Sequence, residues 1–225
     1  MQVRKKPAAP RLYSVITADL VGSRRIADFR KKRDVILHTV SKAHIDRGLI
    51  VSAYTITVWD EFQAIMASPE KFPQAALDLR RQFYPLTLRI AVGIGTVTGP
   101  RKSPINQFAG GEAFERARTA MEKLKRAKRS KSPRLTAVES GDTLLDLAAN
   151  AIYQLQDALA GDLSPAQWKT VRWVASLGSQ ELAAKKLRVN ISTVSRTLRR
   201  AHYWEIEETS QALEEFLRAR FALAR

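Results

Sequence analysis

Hydrophobic and polar positions along the chain predict a mixed region of strands and helices followed by a purely helical region. Up to residue 140, short apolar runs rich in β-branched residues alternate with segments whose apolar residues recur at helical spacing. The predicted strands are 12–20, 52–58, 62–66, 87–95 and 135–138, and the predicted helices are 26–47, 69–83 and 112–128. The order β-α-β-β-α-β-α-β predicts an α+β sandwich with helices over one mostly antiparallel sheet.

The helical region begins after Ser140 and Gly141, beyond which the sequence contains no further strand pattern. Helices are predicted over 142–159, 165–176, 179–187, 191–202 and 204–222. We therefore predict two domains, an α+β domain over residues 1–140 and an all-α domain over residues 141–225.

Charge narrows the class of partner. The chain has 38 Lys and Arg against 22 Asp and Glu, a net charge of +16, and residues 1–135 alone hold 27 basic and 11 acidic side chains. Residues 165–200 hold eight basic residues and one acid. Such a field attracts polyanions, which can be nucleic acid, an anionic membrane or phosphorylated ligands. The absence of cysteine excludes disulfides and thiol chemistry, and no apolar run approaches the roughly 20 residues of a membrane span.

The strongest local pattern is QELAAKKLRVNISTVSRTL at residues 180–198, which predicts a helix-turn-helix. Ala184 is small where two helices must cross closely. Asn190 is predicted to cap the second helix, with its side chain accepting a hydrogen bond from the first turn. The turn position that usually holds glycine is Arg188, so either the turn avoids positive φ or strain is stored there. The residues predicted to hold the two helices together are Leu187, Val189, Val194 and Leu198, with Trp168, Val171, Trp173 and Val174 of the preceding helix beneath them.

The second helix of this pair is predicted to contact double-stranded DNA. Hydroxyl groups at its first turn can reach base edges or phosphates, and arginines further along can reach guanine or phosphate. The predicted DNA-binding residues are Asn190, Ser192, Thr193, Arg196, Arg199 and Arg200. The alternative is a helical hairpin with a solvated basic face.

Two carboxylates in the first region are candidates for a metal site. Asp19 ends the first strand and Asp60 lies in the hairpin between the second and third. In a sheet of this order the two positions converge on one edge, and paired carboxylates facing phosphate oxygens are what Mg²⁺ or Mn²⁺ needs. The sequence therefore predicts a Mg²⁺ or Mn²⁺ site that holds a nucleotide, against the alternative of capping or turn roles.

The segments TADLVGS, TVWDEFQAIM, RIAVGIGTV and GGEAFERAR resemble the class III nucleotidyl cyclase and GGDEF-type fold, a ferredoxin-like βαββαβ sandwich. The resemblance implies metal-binding roles for Asp19 and Asp60 and a nucleotide-binding role for Arg118. Trp59 stands where that family has glycine, and Phe114 stands where it has asparagine. These departures disfavour a metal-dependent nucleotidyl cyclase or nucleotidyltransferase. They favour a nucleotide sensor or dimerisation scaffold within a DNA-binding regulator, or a non-catalytic adaptor that binds RNA or another partner through the basic N-terminal domain.

Nearly the whole chain resembles the SatD family, in which a cyclase-like domain precedes a C-terminal helix-turn-helix. The segment DEFQ and the spacing Ser-x-Val-Ser-x-x-Leu-x-x-Ala carry the resemblance most specifically. It implies a cytoplasmic regulatory protein. With the DNA-binding pattern, this predicts a transcriptional regulator that acts as a homodimer.

Two further segments have alternative interpretations. The basic stretch 123–134 is either a second nucleic-acid contact or a solvated loop. The last helix has an apolar stripe that predicts either core packing or a dimer contact, formed by Leu213, Phe216, Leu217 and Phe221.

Overall fold

The computed structural model describes residues 10–23, 28–99, 110–127 and 134–222. Within these ranges the chain forms five strands and eight α-helices, which confirms the α+β class. The strands are β1 (Leu12–Leu20), β2 (Thr55–Val58), β3 (Glu61–Ile65), β4 (Leu88–Thr96) and β5 (Thr136–Glu139). The helices are α1 (Phe29–Asp46), α2 (Phe72–Phe83), α3 (Glu112–Arg126), α4 (Thr143–Gly161), α5 (Pro165–Leu177), α6 (Gln180–Leu187), α7 (Ile191–Arg200) and α8 (Tyr203–Ala222). None of these helices is long and apolar enough to cross a membrane.

The five strands form one mixed sheet in the order β2-β3-β1-β4-β5. The pairs β2–β3, β3–β1 and β1–β4 are antiparallel, and β5 joins β4 in parallel. Every residue of β1 except Leu12 is buried, because this strand lies at the centre of a sheet covered on both faces. A strand buried on both faces is expected to be mostly apolar, and the strand predicted over residues 12–20 is confirmed.

Helices cover both faces of the sheet. On one face, Ile16 of β1 shares a core with Leu37 of α1 and Leu79 of α2. On the other face, Val15 packs against Ala117 of α3. Neighbouring residues of a strand point to opposite faces, so β1 serves both layers at once.

Glycine in β4 allows α3 to lie directly on the sheet. A Cβ atom at Gly93 would stand 2.0 Å from the carbonyl oxygen of Ala113 and 2.3 Å from the amide nitrogen of Ala117. No L side chain fits that space. The glycines at 93 and 95 therefore lie within β4, which continues to Thr96.

Helix α4 covers the outer edge of β5 with polar side chains. Asp157 accepts hydrogen bonds from the amides of Leu135 and Thr136, at 2.7 Å each. Asn150 accepts from the amide of Val138 at 2.9 Å and donates to its carbonyl at 2.8 Å. These contacts replace a neighbouring strand and leave this sheet edge closed to pairing.

Two cores organise the helical region. Helices α4 and α8 share the core of the sheet, to which α8 contributes the buried Leu213 and Leu217. Helices α5, α6 and α7 enclose a separate small core with Val171, Val194 and Leu198. The stripe on α8 thus serves mainly core packing, and Phe216 alone of its four residues is exposed. The division of the chain into domains at residues 1–140 and 141–225 stays a prediction.

The structure gives two of the predicted segments different bounds from those that the sequence predicts. Strand β2 begins at Thr55 rather than residue 52, because the amide of Tyr54 donates to the side chain of Ser41 at 3.0 Å. Of the basic stretch 123–134, Lys123, Lys125 and Arg126 belong to α3 rather than a loop, and residues 128–133 lie outside the described residues.

Candidate functional site

The α6–α7 pair is built by strong local signals. Gly178 ends α5 in the left-handed conformation, and the Ser179 hydroxyl caps α6 by accepting from the amide of Leu182 at 3.3 Å. Upstream, Ser164 and Gln167 form a capping box at the start of α5. Such caps satisfy amides that a helix leaves without a partner, so three short helices follow one another with sharp boundaries.

Small and β-branched residues hold the two helices together. Ala184 is 3% exposed and its carbonyl accepts from the amide of Val189 at 3.1 Å, as expected where two helices meet closely. Val194 and Leu198 of α7 are buried against α5. The prediction that Val189 joins this contact is wrong, because the chain turns there and leaves its side chain 41% exposed.

Trp168 also departs from the predicted packing. It stacks on Tyr84 at the end of α2, with ring centroids 5.0 Å apart. Its neighbour Trp173 does pack against the small core, as expected. Trp168 therefore joins α5 to the sheet layer rather than supporting α7.

The turn between α6 and α7 is left-handed at Arg188, with φ 57° and ψ 46°. Of the two alternatives for this position, the strained one holds, because a residue with a Cβ atom takes a conformation that glycine favours. The side chain of Arg188 is exposed. The turn thus presents a cation between the two helices.

Asn190 begins α7 through its main chain. Its carbonyl accepts from the amides of Thr193 and Val194, at 2.9 and 3.2 Å. The predicted side-chain cap is wrong: in the described part of the chain, the Asn190 side chain makes no capping hydrogen bond. That side chain is exposed and available to a ligand.

The outer face of α7 is cationic. Ser192, Arg196 and Arg199 follow one another at spacings of four and three residues on the side of α7 opposite the buried Val194 and Leu198, and all three are exposed. Arg200 is exposed beside them, and Thr193 is half-buried. Within the described residues, Arg196, Arg199 and Arg200 make no ion pair with any carboxylate. Their charge is therefore free for an external anion.

Residues next to α7 add to the positive charge of its outer face. Glu181 is the single acid between residues 165 and 200, and Lys185 neutralises it at 2.9 Å. Lys186 lies over the ring of Trp173, 5.0 Å from its centroid. The surface around α7 thus keeps a net positive charge.

The predicted metal ligand Asp19 is buried and paired with cations. One of its oxygens, Oδ2, accepts from Arg89 Nη1 at 2.7 Å and lies 3.9 Å from Lys125 Nζ. Burial raises the pKa of the Asp19 carboxyl, and the two cations offset that effect only in part. Arg89 lies directly opposite Asp19 in the register of β1 and β4.

The second predicted ligand, Asp60, lies in the turn before β3, where its carbonyl accepts from the amide of Leu20 at 3.2 Å. The two aspartates are thus close, as the sequence predicts. The carboxylate of Asp60, however, accepts from the Ser23 hydroxyl at 2.6 Å.

These surroundings do not fit a divalent metal ion. A guanidinium and an ammonium stand beside Asp19, where a metal would place its own positive charge. Among the described residues, no group of three His, Asp or Glu side chains is arranged to hold a metal.

The third predicted residue, Arg118, lies on the exposed side of α3 in an open groove of about 640 Å³. The groove runs between α3 and the β2–β3 hairpin, and Gly110, Gly111 and Phe114 line one end. Arg118 makes no ion pair within the described ranges. The groove joins Arg118 to Lys125 but does not include the carboxylate of Asp19.

The profile of the SatD family matches residues 13–200. The chain belongs to the SatD family. The matched range contains the sheet except Leu12, the paired Asp19 and Arg89, and all of the α6–α7 pair, whereas α8 lies beyond it. No curated protein matches this SatD chain.

One solved structure similar to this SatD chain is a regulator of polyketide synthase expression from Bifidobacterium adolescentis. The two sequences are 18% identical, and the alignment covers 93% of this chain and 83% of that one, with a TM-score of 0.31. A TM-score of that size does not establish a common fold.

The sequence patterns did not reveal the two cations beside Asp19 in this SatD chain, Arg89 and Lys125. A usable signal existed for Arg89, the single charge within the apolar strand LRIAVGIGT. A charge in such a strand is almost always paired. Lys125 gave no comparable signal, because it lies in a helix rich in charged residues.

Proposed function

We propose that this SatD protein is a DNA-binding transcriptional regulator in which α6 and α7 form a helix-turn-helix. The observation that carries the proposal is the face of α7, where Arg196, Arg199 and Arg200 are exposed without carboxylate partners among the described residues. A folded protein normally pairs or disperses its surface charges. Three free arginines within five residues favour a polyanionic ligand.

The arrangement of α7 suits the major groove of double-stranded DNA. Asn190, Ser192 and Thr193 lie at the N-terminal turn, where short polar side chains reach base edges or phosphates. Arg196 lies one turn later and matches the acceptors of guanine, while Arg199 and Arg200 suit the phosphate backbone. A role on chromosomal DNA implies a cytoplasmic protein.

The proposed role of the sheet is a scaffold for the DNA-binding helices. The strand order β2-β3-β1-β4, with α1 and α2 on one face, supports a ferredoxin-like βαββαβ unit of cyclase type. The pairing of Asp19 with Arg89 favours a structural role over metal binding at the end of β1.

The experiment compares two charge-matched variants on duplex DNA selected from a random library. Arg196→Ala with Arg199→Ala removes two cations from α7, whereas Arg126→Ala with Arg218→Ala removes two exposed cations from α3 and α8. Fluorescence anisotropy over a range of salt concentrations should show the first variant binding more weakly, with a log–log salt slope smaller by about two. The second variant should bind like the parent. Equal binding by all three proteins would overturn the proposal.

A second candidate function is nucleotide sensing in the groove of α3. It is favoured by Arg118, which faces the groove without an ion pair in the described part of the chain. Because Arg89 and Lys125 already neutralise the Asp19 carboxylate, we expect any nucleoside triphosphate to bind without Mg²⁺ or Mn²⁺. Thermal stabilisation by ATP or GTP should then be independent of metal and lost in Arg118→Ala, with Arg126→Ala as the control on the same helix. No stabilisation of the parent would eliminate this candidate.

A further inference from the structure

Helix α4 has a second apolar face that nothing in the described chain covers. Leu144, Leu147 and Leu155 are 77%, 69% and 69% exposed, among the most exposed large apolar side chains described. The alanines between and beyond them on the same side are exposed as well. We define the α4 stripe as Leu144, Leu147, Ala148, Ala151, Leu155 and Ala158.

The stripe is not the face that α4 uses for its own fold. Leu145, Ala149 and Tyr153 point into the core of the sheet, and Asn150 and Asp157 bind the edge of β5. The helix is therefore apolar on two sides. A single helix of a monomer normally keeps its outer side polar, and a continuous exposed apolar patch marks an interaction site.

The sequence around the stripe has few free charges, which favours a partner surface that is also uncharged. No Lys or Arg lies between Arg134 and Lys169, although the chain as a whole has a net charge of +16. The acids of α4 are engaged locally: Asp142 pairs with Arg220 at 2.9 Å, and Asp146 accepts from Ser140 at 2.6 Å. Two described cations lie at the borders of the stripe: Arg220, which Asp142 neutralises, and Arg134, which donates to Gln154 at 2.7 Å. Two copies of this basic protein can therefore meet here with little repulsion between like charges.

The spacing of large and small residues makes the stripe complementary to itself. In an antiparallel pair centred on Ala151, residues whose numbers sum to 302 face each other. Leu147 then meets Leu155 of the second copy, Leu144 meets the small Ala158, and Ala148 meets Gln154 at the border of the stripe. Ala151 lies on the axis, where its small side chain lets the helices approach closely. A two-fold interface requires this kind of self-match.

We propose that the α4 stripe is a homodimer interface, formed by two α4 helices packed antiparallel about a two-fold axis at Ala151. The stripe extends over 14 residue steps, about 21 Å of helix. An interface confined to one helix pair is at the small end of stable interfaces, so we expect a monomer–dimer equilibrium near micromolar protein. The proposal does not depend on DNA binding.

Sedimentation velocity in the absence of DNA tests the interface. The parent should shift from monomer to dimer as its concentration rises through the micromolar range. Leu147→Glu should stay monomeric, because it places two charges in the contact. Val35→Glu makes the same change at an apolar residue of α1 that is 61% exposed, and should dimerise like the parent. A monomeric parent, or a Leu147→Glu protein that still dimerises, would overturn the proposal.

Crosslinking tests the orientation without relying on a disruptive variant. The chain has no cysteine, so each introduced thiol is unique. Under mild oxidation, Ala151→Cys should form a disulfide-linked dimer, whereas Leu147→Cys should not, because its copies lie about 12 Å apart along antiparallel helices. Efficient crosslinking of both would indicate parallel helices and overturn the antiparallel arrangement. Failure of Ala151→Cys to crosslink would contradict the axis.

Discussion

Arg89 of β4 lies opposite Asp19 of β1 and donates to its carboxylate at 2.7 Å, within the face of the sheet that α3 covers. The side chains are only 8% and 7% exposed. Two charges in that position stabilise the fold only as a pair, because each alone would lose its hydration without compensation. The position that resembles a metal site, at the end of β1, is thus occupied by an internal ion pair.

Replacing Arg89 with Met should destabilise the protein in a manner that depends on pH. At neutral pH, the free energy of unfolding should fall by about 3 kcal/mol, because the buried Asp19 carboxylate loses its closest cation. Burial already raises the pKa of Asp19 in the folded state, and loss of Arg89 raises it further. A raised carboxyl pKa disfavours the fold as pH rises through it, so the variant should recover stability towards acid. Urea unfolding of the variant and the parent at several pH values measures how this difference in unfolding free energy depends on pH.

The double variant Asp19→Asn with Arg89→Met provides the control for this pair. It removes both charges and keeps similar volumes, so its stability relative to the parent should vary little between neutral pH and pH 5. A single Arg89→Met protein with an equally flat profile would contradict the assigned role of Asp19.

Gly93 allows a second test, this time of packing. Alanine at this position would place its Cβ atom 2.0 Å from the carbonyl oxygen of Ala113, so α3 would have to move away from β4. We expect Gly93→Ala to lose at least about 3 kcal/mol of stability. Gly161→Ala makes the same chemical change where no atom lies within 4 Å of the new Cβ, and should be neutral or stabilising by up to about 1 kcal/mol. Thermal unfolding of both variants checks the contrast.

Sequence patterns predicted the elements well because local signals fix them. The run at 12–20 is mostly apolar and rich in β-branched residues, and the helix predicted over 165–176 begins at Pro165 as expected. The exceptions arise from contacts distant in sequence. Ser41 of α1 takes the amide of Tyr54 and shortens β2, and no pattern within 52–58 shows this.

The candidate site was predictable in part. The spacing of Ser192, Arg196 and Arg199 indicated one exposed face of α7, which is where the structure places them. The surroundings of Asp19 were not predictable from the motif TADLVGS, because its partners come from β4 and α3 through the register of the sheet. A motif gives the ligand residue, but the charge of its neighbours decides what it can bind.

Arg188 connects stability with the proposed DNA-binding role. Its left-handed conformation costs a non-glycine residue about 1 kcal/mol, which glycine does not lose. Arg188→Gly should therefore raise the unfolding free energy by up to about 1 kcal/mol while it weakens DNA binding, because a cation of the α6–α7 turn disappears. Arg188→Val should lower stability, since β-branched residues tolerate this conformation poorly. Thermal unfolding and anisotropy on the same samples test both effects, and a destabilised Arg188→Gly would contradict them.

Asp78 of α2 provides a prediction in acid. Its Oδ2 atom accepts from Arg47 at 2.6 Å and lies 3.3 Å from Nε2 of His44. Burial alone would raise the pKa of Asp78, but the hydrogen bonds from His44 and Arg47 outweigh it and hold the pKa below its ordinary value of 3.8. A depressed carboxyl pKa contributes stability that is complete above the ordinary value and is lost as pH falls through the folded-state value.

Asp78→Asn should therefore be less stable than the parent by about 1–3 kcal/mol at pH 6, with a difference that narrows as pH falls below about 4. Asp46→Asn removes an exposed carboxylate that pairs with Lys42 at 2.9 Å, and should cost less than about 0.5 kcal/mol at any pH. Urea unfolding from pH 6 towards acid gives both differences. If the difference in unfolding free energy between Asp78→Asn and the parent stays constant as the pH falls, ionisation of the Asp78 carboxyl does not contribute to stability. The pairing with His44 and Arg47 would then be a matter of hydrogen-bond geometry alone.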